Sequence, residues 1–388
     1  MLVGKDVTVL GAGIAGLAAA AALAGRGARV RVLEQAPAIR EVGAGLQITP
    51  NGMAVLTGLG LGAEAAAAGQ VAEAVELIDG ETGQLVTRID LLQIAPPGSF
   101  RFFHRADLIA LLEQAARQAG ADIHLGQRIT AISLGDHPPT LDTAKGKESA
   151  GLLVGADGLH SQVRTALNGR AAPFFTHQVA WRATLPAAGN IPPVARVYMG
   201  AGRHLVTYPL RGGSQRNIVA VEERRTWAEE SWSLTDDPLA LRIAFETFIP
   251  EVRGWLDQIE RPNLWGLFRH PVAPRWQGQG AVLLGDAAHP TLPFLAQGAN
   301  MALEDAWVLA DRLARHPAEQ ALAAYAAARA PRAARIVAAA NANARNYHLS
   351  GVRRDIAHTG LRLLGRIAPN AAANRFRWLY GFDVTAGA

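Results

Sequence analysis

The sequence predicts an α/β protein: a parallel sheet with a nucleotide-binding turn at its start, interrupted by an antiparallel sheet and followed by helices. Three observations carry this. A glycine-rich strand-to-helix junction opens the chain, a second strand ends on a lone acidic residue near position 286, and short strand-like runs separated by Gly, Pro and Asn fill the middle.

The first element is the apolar run Val7 to Leu10. It enters Gly11, Gly13 and Gly16 of G-A-G-I-A-G, then an Ala/Leu-rich helix to about Leu23, a Gly25/Gly27 turn, a second strand Ala28 to Leu33, and Glu34. This is the dinucleotide motif in its proper Rossmann setting. Its first glycine permits the turn, the second lets backbone approach a pyrophosphate, the third packs helix on strand, and Glu34 lies where a carboxylate holds a ribose hydroxyl. Val7 to Gly25 carries no charge over nineteen residues, long enough to imitate a membrane span or signal peptide. Its Ala/Gly composition and spaced glycines argue instead for a buried strand and helix, so a soluble, cytoplasmic chain is expected.

The late junction is A-V-L-L-G-D-A-A-H-P from Ala281. A short buried strand delivers Asp286 beneath a helix expected from about Gln297 to Arg315, after an irregular segment with Pro290, Pro293 and Gly298. Unpaired N–H groups at that helix start favour a ligand with negative charge. His289 reads as a structural residue ahead of a base.

Between these junctions, Val194 to Met199, His204 to Leu210, Asn217 to Val221 and Leu264 to Phe268 read as strands of an antiparallel sheet, with Arg211-Gly212-Gly213 as a hairpin corner. At period two, His204, Val206 and Tyr208 share a face, so an imidazole and a phenol can line one pocket. The alternative is a satisfied strand histidine and a sheet-edge tyrosine. Trp181 and Arg182 either cap the same pocket or form a structural stack. An Ala-rich helix from Glu319 to Tyr347 should be interrupted at Pro331, and Arg353 to Tyr380 should add a helical tail.

The 388 residues are 49% hydrophobic, enough for two or three domain-sized units. With no cysteine, disulfides, thiolate metal sites and a dithiol redox pair are excluded, and no ligand cluster suggests a metal. The net charge of +5 gathers at the end: residues 315 to 388 hold eleven Arg against three acids. That reads as a solvated helical surface ahead of a partner site. No motif interleaves these arginines with aromatics, so nucleic acid is not an expected partner.

A third motif, D-G-L-H-S-Q-V-R from Asp157 through Ser161 to Arg164, would alone be a turn with an N-capping serine. Ordered with the other two, it resembles the group A flavoprotein aromatic hydroxylases, with most likeness to the salicylate hydroxylase and 3-hydroxybenzoate 6-hydroxylase branch. The resemblance covers nearly the whole chain and weakens after about residue 345. It implies a para-hydroxybenzoate hydroxylase-like architecture: a Rossmann-type FAD-binding domain (1–75, 100–172 and 273–345) interleaved with an antiparallel β-sheet substrate domain (76–99 and 173–272), plus a C-terminal helical tail (346–388).

It also implies a cofactor site. Gly11, Gly13, Ile14, Ala15, Gly16, Glu34 and Gln35 would hold the ADP half of FAD, with Arg40 and Gly45 near the flavin. Arg105 would contact the ribityl and phosphate region, Ile129 would offer backbone to the adenine, and Asp157 would line the pyrophosphate channel. Asp286 would bond the ribityl chain, and Gly298, Ala299 and Asn300 would offer backbone to the ring. Relatives often carry glycine where this chain has Ala296, which puts the ring-side contact there in question.

No second G-x-G-x-x-G is present, so NADH or NADPH would visit transiently, as in the family. The implied reaction reduces FAD, adds O₂, and transfers one oxygen from a C4a-hydroperoxyflavin to a phenolic or hydroxy-heteroaromatic acid. His204, near its ordinary pKa, would be the base or proton relay, Tyr208 would orient the substrate, and Trp181, Arg182 and Pro293 would line its pocket. The alternatives are a ubiquinone-pathway ring hydroxylase and a non-catalytic FAD-binding protein. A flavin-dependent halogenase is disfavoured, because no W-x-W-x-I-P occurs among the eight tryptophans. A monomer or homodimer without membrane insertion is expected.

Overall fold

A computed structural model describes residues 2–39, 45–187, 191–224, 234–343, 347–368 and 371–386. Arg40 lies outside them. The opening motif folds as its spacing dictates. Strand Asp6–Leu10 pairs in parallel with Arg29–Leu33 on one side and Leu152–Gly155 on the other. Asp122–His124 and Ala281–Leu283 extend this sheet in parallel, and Gln277–Gly278 closes one edge antiparallel. Helix Ile14–Ala24 is buried along its whole length. An all-round apolar helix needs cover on every side, and here the sheet and the helices Arg105–Gln118 and Gly298–Arg315 provide it.

The second sheet has seven strands, in the order Asn263–Arg269, Phe174–Pro186, Gln215–Glu223, Arg203–Leu210, Val194–Gly200, Ala74–Asp79 and Leu85–Asp90. It is not wholly antiparallel: Val194–Gly200 runs parallel to Ala74–Asp79. These two strands are joined by a crossover through the first sheet, and a long crossover permits parallel pairing where a hairpin cannot. Its long strand, Phe174–Pro186, was not legible in the strand-like runs. Arg211–Gly213 forms the tight connection between Arg203–Leu210 and Gln215–Glu223, with Gly212 and Gly213 both at positive φ.

Two expectations for the C-terminal part change. Helix Ala318–Asn343 runs through Pro331 without ending. A mid-helix proline costs about 3 kcal/mol, and the buried Tyr325, Arg329, Ala333, Ile336 and Val337 on both sides of it supply the compensating packing. The tail forms two helices, Gly351–Ile367 and Ala371–Tyr380. They pack onto strand Leu85–Asp90, and Leu379 is fully buried in the main core. No helix of the described residues is long and apolar enough to cross a membrane.

Candidate active site

The glycine turn tests whether a dinucleotide fits. A Cβ on Gly11, at φ +97°, would meet the Ala156 carbonyl oxygen at 2.4 Å. A Cβ on Gly16 would meet the Gly11 carbonyl oxygen at 1.9 Å, so both positions require glycine for packing. Gly13 is different: nothing lies within 4 Å of a Cβ built there. Open space above Gly13, at the start of an eleven-residue helix with no side-chain cap, is where backbone N–H groups can receive a pyrophosphate. Glu34 accepts from the Ala12 and Ala36 N–H groups, each at 2.8 Å. The four lone-pair directions of a carboxylate leave room for a ribose hydroxyl as well. Gln35 beside it is exposed.

The D-G-L-H-S-Q-V-R motif is a brace. Ser161 caps helix Gln162–Asn168 by accepting from Arg164 N–H at 2.9 Å, and donates to Asp157 at 2.5 Å. Asp157 also accepts from the Gln162 and Val163 N–H groups. Burial pushes its carboxyl above the usual range despite those bonds. Asp157 therefore spends its oxygens on the helix start, and Gly158 instead lines the large cavity. Ile129 likewise has its carbonyl engaged, by Gln162 Nε2 at 2.6 Å. Arg164 donates to the Pro271 and Ala287 carbonyls, tying this motif to the late one.

In the late motif Asp286 is exposed between buried Gly285 and Ala287, and it lines the cavity. Behind it lies a buried charge network that the sequence reading missed. Asp305 accepts from Gly285 N–H at 3.0 Å, from His289 Nε2 at 2.5 Å and from Arg329 Nε at 2.7 Å. Glu304 pairs with Arg329 and Arg332 and accepts from Asn51 Nδ2. Burial opposes ionisation of Asp305, but His289 and Arg329 outweigh it and hold the carboxyl below its usual range. His289 is thus structural. Asn300, fully buried, donates to the Gln47 and Ala296 carbonyls and accepts from Thr49 N–H, binding the helix start at Gly298 to the strand Gly45–Ile48. Ala296 adopts a left-handed conformation, φ 53°, ψ 36°.

A cavity of about 810 Å³ joins the two halves. Gly13, Ile14, Ala15, Asp286, Gly298 and Ala299 line one end, and one face of the seven-stranded sheet forms its floor. Gly45, Arg105, Arg182, His204, Tyr208 and Pro293 line it too, so the cofactor and substrate residues read from the sequence converge on one space. Trp181 does not belong. It is 1% exposed on the opposite face, packed against Phe245, and donates its indole N–H to Asp236 at 2.9 Å. Adjacent strand residues face opposite ways, so Arg182 and Trp181 cannot share a pocket. Arg182 lies over Trp265 instead, 4.9 Å from its ring centroid. Burial lowers its pKa to about 10, with Arg105 adding to the fall and Tyr208 opposing it.

His204 is 2% exposed, and burial, reinforced by His348, drives its pKa well below the ordinary value rather than leaving it near 6.5. Its Nδ1 is 2.7 Å from His348 Nε2, and His348 Nδ1 is 2.7 Å from Glu223 Oε1, with Gln178 Nε2 3.4 Å from the same nitrogen. His348 and Glu223 lie 144 and 19 positions away from His204 or nearby strand turns in the chain, and no local spacing announces them. Tyr208 is stacked on Phe102 at 4.9 Å, and burial raises its pKa.

Comparison with known proteins meets this geometry at the same place. Residues 5–340 match the family model described as FAD binding domain. The chain is 34% identical over 391 residues to a 3-hydroxybenzoate 6-hydroxylase of Polaromonas naphthalenivorans (strain CJ2), covering 97% of this chain and 96% of that one. The chain is a group A flavoprotein aromatic hydroxylase. A 3-amino-4-hydroxybenzoate 2-monooxygenase of Streptomyces cremeus is 37% identical and covers 90% of this chain and 89% of its own. The structure of a salicylate hydroxylase substrate complex superposes with TM-score 0.82 at 24% identity, covering 99% of this hydroxylase and 97% of that chain, and it shares the fold. The hydroxylase is FAD-dependent, and NAD(P)H is the electron donor typical of its family.

Proposed function

We propose that this hydroxylase oxygenates a phenolic or hydroxy-heteroaromatic ring held over the sheet between His204, Tyr208 and Arg182, with O₂ as co-substrate. The observation that carries this reading is the convergence of His204, Tyr208 and Arg182 with the nucleotide-side residues Gly13, Asp286 and Gly298 around one cavity. Bound FAD, reduced by NAD(P)H, supplies the activated oxygen. The protein must bind the ring, exclude water and manage the phenol proton, because a phenolate is the stronger nucleophile toward an electrophilic oxygen.

The hydrogen-bond chain sets how that proton moves. Glu223 accepts from His348 Nδ1–H, so the neutral His348 presents a bare Nε2, which accepts from His204 Nδ1–H. His204 is left with a bare Nε2, the atom available to a phenol in the cavity its ring lines. Burial disfavours a lasting imidazolium at either histidine, so the proton is passed on. The phenol O–H protonates His204 Nε2, Nδ1–H moves to His348 Nε2, and His348 Nδ1–H moves to Glu223. The Glu223 side chain is 53% exposed and exchanges with solvent. Reprotonation of the product's oxygen runs the chain backward and restores both tautomers. Arg182 and Arg105 suit a substrate carboxylate, and the apolar floor excludes water from the reacting oxygen.

The test is NAD(P)H oxidation across salicylate, hydroxybenzoates and 6-hydroxynicotinate, with hydroxylated product and peroxide quantified together. Stoichiometric product from one compound establishes the reaction and its ring. Peroxide alone from every compound, or no stimulation by any, overturns the substrate reading.

A further inference from the structure

The cavity floor extends well past His204 and Tyr208. Cross-strand register aligns Arg182 with Val219, Val219 with Val206, Val206 with Val197, Val197 with Leu77, and Leu77 with Thr87. All six line the same cavity. Strands lie about 4.8 Å apart, so the floor from Val206 to Thr87 spans three spacings, about 14 Å, beyond the strand that carries the histidine and tyrosine. A single phenolic acid beside His204 covers one or two of those spacings. The rest of the row, Val197 and Leu77, is apolar, and Leu361 and Leu364 of helix Gly351–Ile367 face the cavity as well. His358 lines it from the same helix but is already paired with Asp79 at 3.3 Å. Arg375 lines the cavity and is exposed, so this end communicates with solvent.

We infer that the substrate is an aromatic ring bearing an apolar extension, about 10–14 Å long, that lies along the row from Val206 to Thr87 beneath Leu361. This deepens the proposed reaction and rests on its placing of the ring at His204. Apolar walls left wet are unfavourable, and an apolar chain that displaces the water gains affinity with each methylene buried. A small hydroxybenzoate would leave that gain unused. The extension also positions the ring: its length along the row fixes which carbon faces the nucleotide end of the cavity.

The experiment uses the FAD-loaded enzyme and phenol, 4-propylphenol, 4-hexylphenol and 4-nonylphenol, with binding followed by calorimetry and by the change in flavin absorbance. Affinity is expected to rise about threefold per methylene until the arm is full, so that 4-hexylphenol binds more than about a hundredfold tighter than phenol. Leu361→Trp, which fills the arm from the helix side, should bring the hexylphenol-to-phenol ratio to within about threefold. Equal or weaker binding of the longer phenols by the unmodified enzyme overturns the inference. So does a chain-length gain that Leu361→Trp and Val197→Phe both leave intact, since the gain would then lie elsewhere. Product analysis separates the two readings. Turnover of small acids without a chain-length gain removes the arm and leaves the hydroxylase assignment, whereas tight hexylphenol binding that yields only peroxide keeps the arm and removes the ring's placement at His204.

Discussion

The charge network behind Asp286 and the histidine pair beside the substrate sheet both bury titratable groups, and they treat charge in opposite ways. Glu304, Asp305 and Arg329 are at most 1% exposed and stay ionised because each carboxylate meets a cation and several donors. His204 and His348 are buried with one exposed carboxylate at the end of their chain, and they stay neutral. A saturated network fixes a backbone turn. A chain of neutral groups, each with one proton and one bare nitrogen, conducts a proton with little movement of heavy atoms. The first arrangement suits holding a cofactor and the second suits activating a phenol.

Breaking the charged region should have the largest effect. Arg329→Met leaves Glu304 and Asp305 without their shared cation, and removing one member of a buried pair costs about 3–5 kcal/mol. Denaturant unfolding of the variant should show that loss; a change below about 1 kcal/mol would mean Arg332 and His289 suffice. The two regions also separate along the pH axis. His204 and His348 have folded pKa values below 6.5, so the unfolded chain binds more protons there, and their contribution falls as pH drops below 6.5. Glu304 and Asp305 also have lowered folded values, so theirs persists to the carboxylate range and is lost only as pH falls through those values. Acid unfolding should therefore show a shallow loss first and a steep one later, and His348→Gln should flatten only the shallow part.

Next come variants that separate cofactor from proton chemistry. His204→Ala should keep FAD and lose about 10²–10⁴ in coupled hydroxylation; a normal coupled rate would remove the base assignment. Asp286→Ala should do the reverse, weakening FAD by about tenfold to a hundredfold, the worth of one charge-assisted hydrogen bond, as read by flavin fluorescence on dilution. Glu223→Gln keeps an acceptor for His348 Nδ1–H but cannot take the proton. It should slow coupled hydroxylation about tenfold with KM nearly unchanged, a smaller loss than removing His204 because solvent can still reach the chain slowly. An unchanged rate and pH profile would show that His348 and Glu223 only anchor the segment after helix Ala318–Asn343.

The fold was legible where its signals are local. The glycine turn, the second strand and Glu34 follow one another within thirty residues, and steric need alone identifies Gly11 and Gly16. The shared face of His204, Val206 and Tyr208 followed from period two, and the same rule, applied one residue further, would have turned Trp181 away from the pocket. What stayed hidden is non-local. His348 reaches His204 from 144 positions away, and Arg329 reaches Asp305 from 24. No periodicity encodes such meetings, which depend on how the helix Ala318–Asn343 and the segment after it lie across both sheets. The sheet's one parallel pair was hidden for the same reason.

The smallest effect concerns Ala296, where relatives often carry glycine. Its left-handed backbone, φ 53° and ψ 36°, is one that a side chain with a Cβ adopts at a cost. The fold holds it there because Asn300 Nδ2 donates to the Ala296 carbonyl at 2.7 Å and Asn300 is itself locked by Thr49 and Gln47. Ala296→Gly should relieve that strain, partly offset by the greater freedom of glycine in the unfolded chain, for a net gain of about 0.5–1 kcal/mol. Because Ala296 lines the cavity beside Gly298 and Ala299, removing its methyl should also change the absorbance of bound flavin. A stability gain with an unchanged spectrum would show that the methyl strains the turn without touching the ring; a spectral change with no gain would show that contact with the ring already compensates the strain.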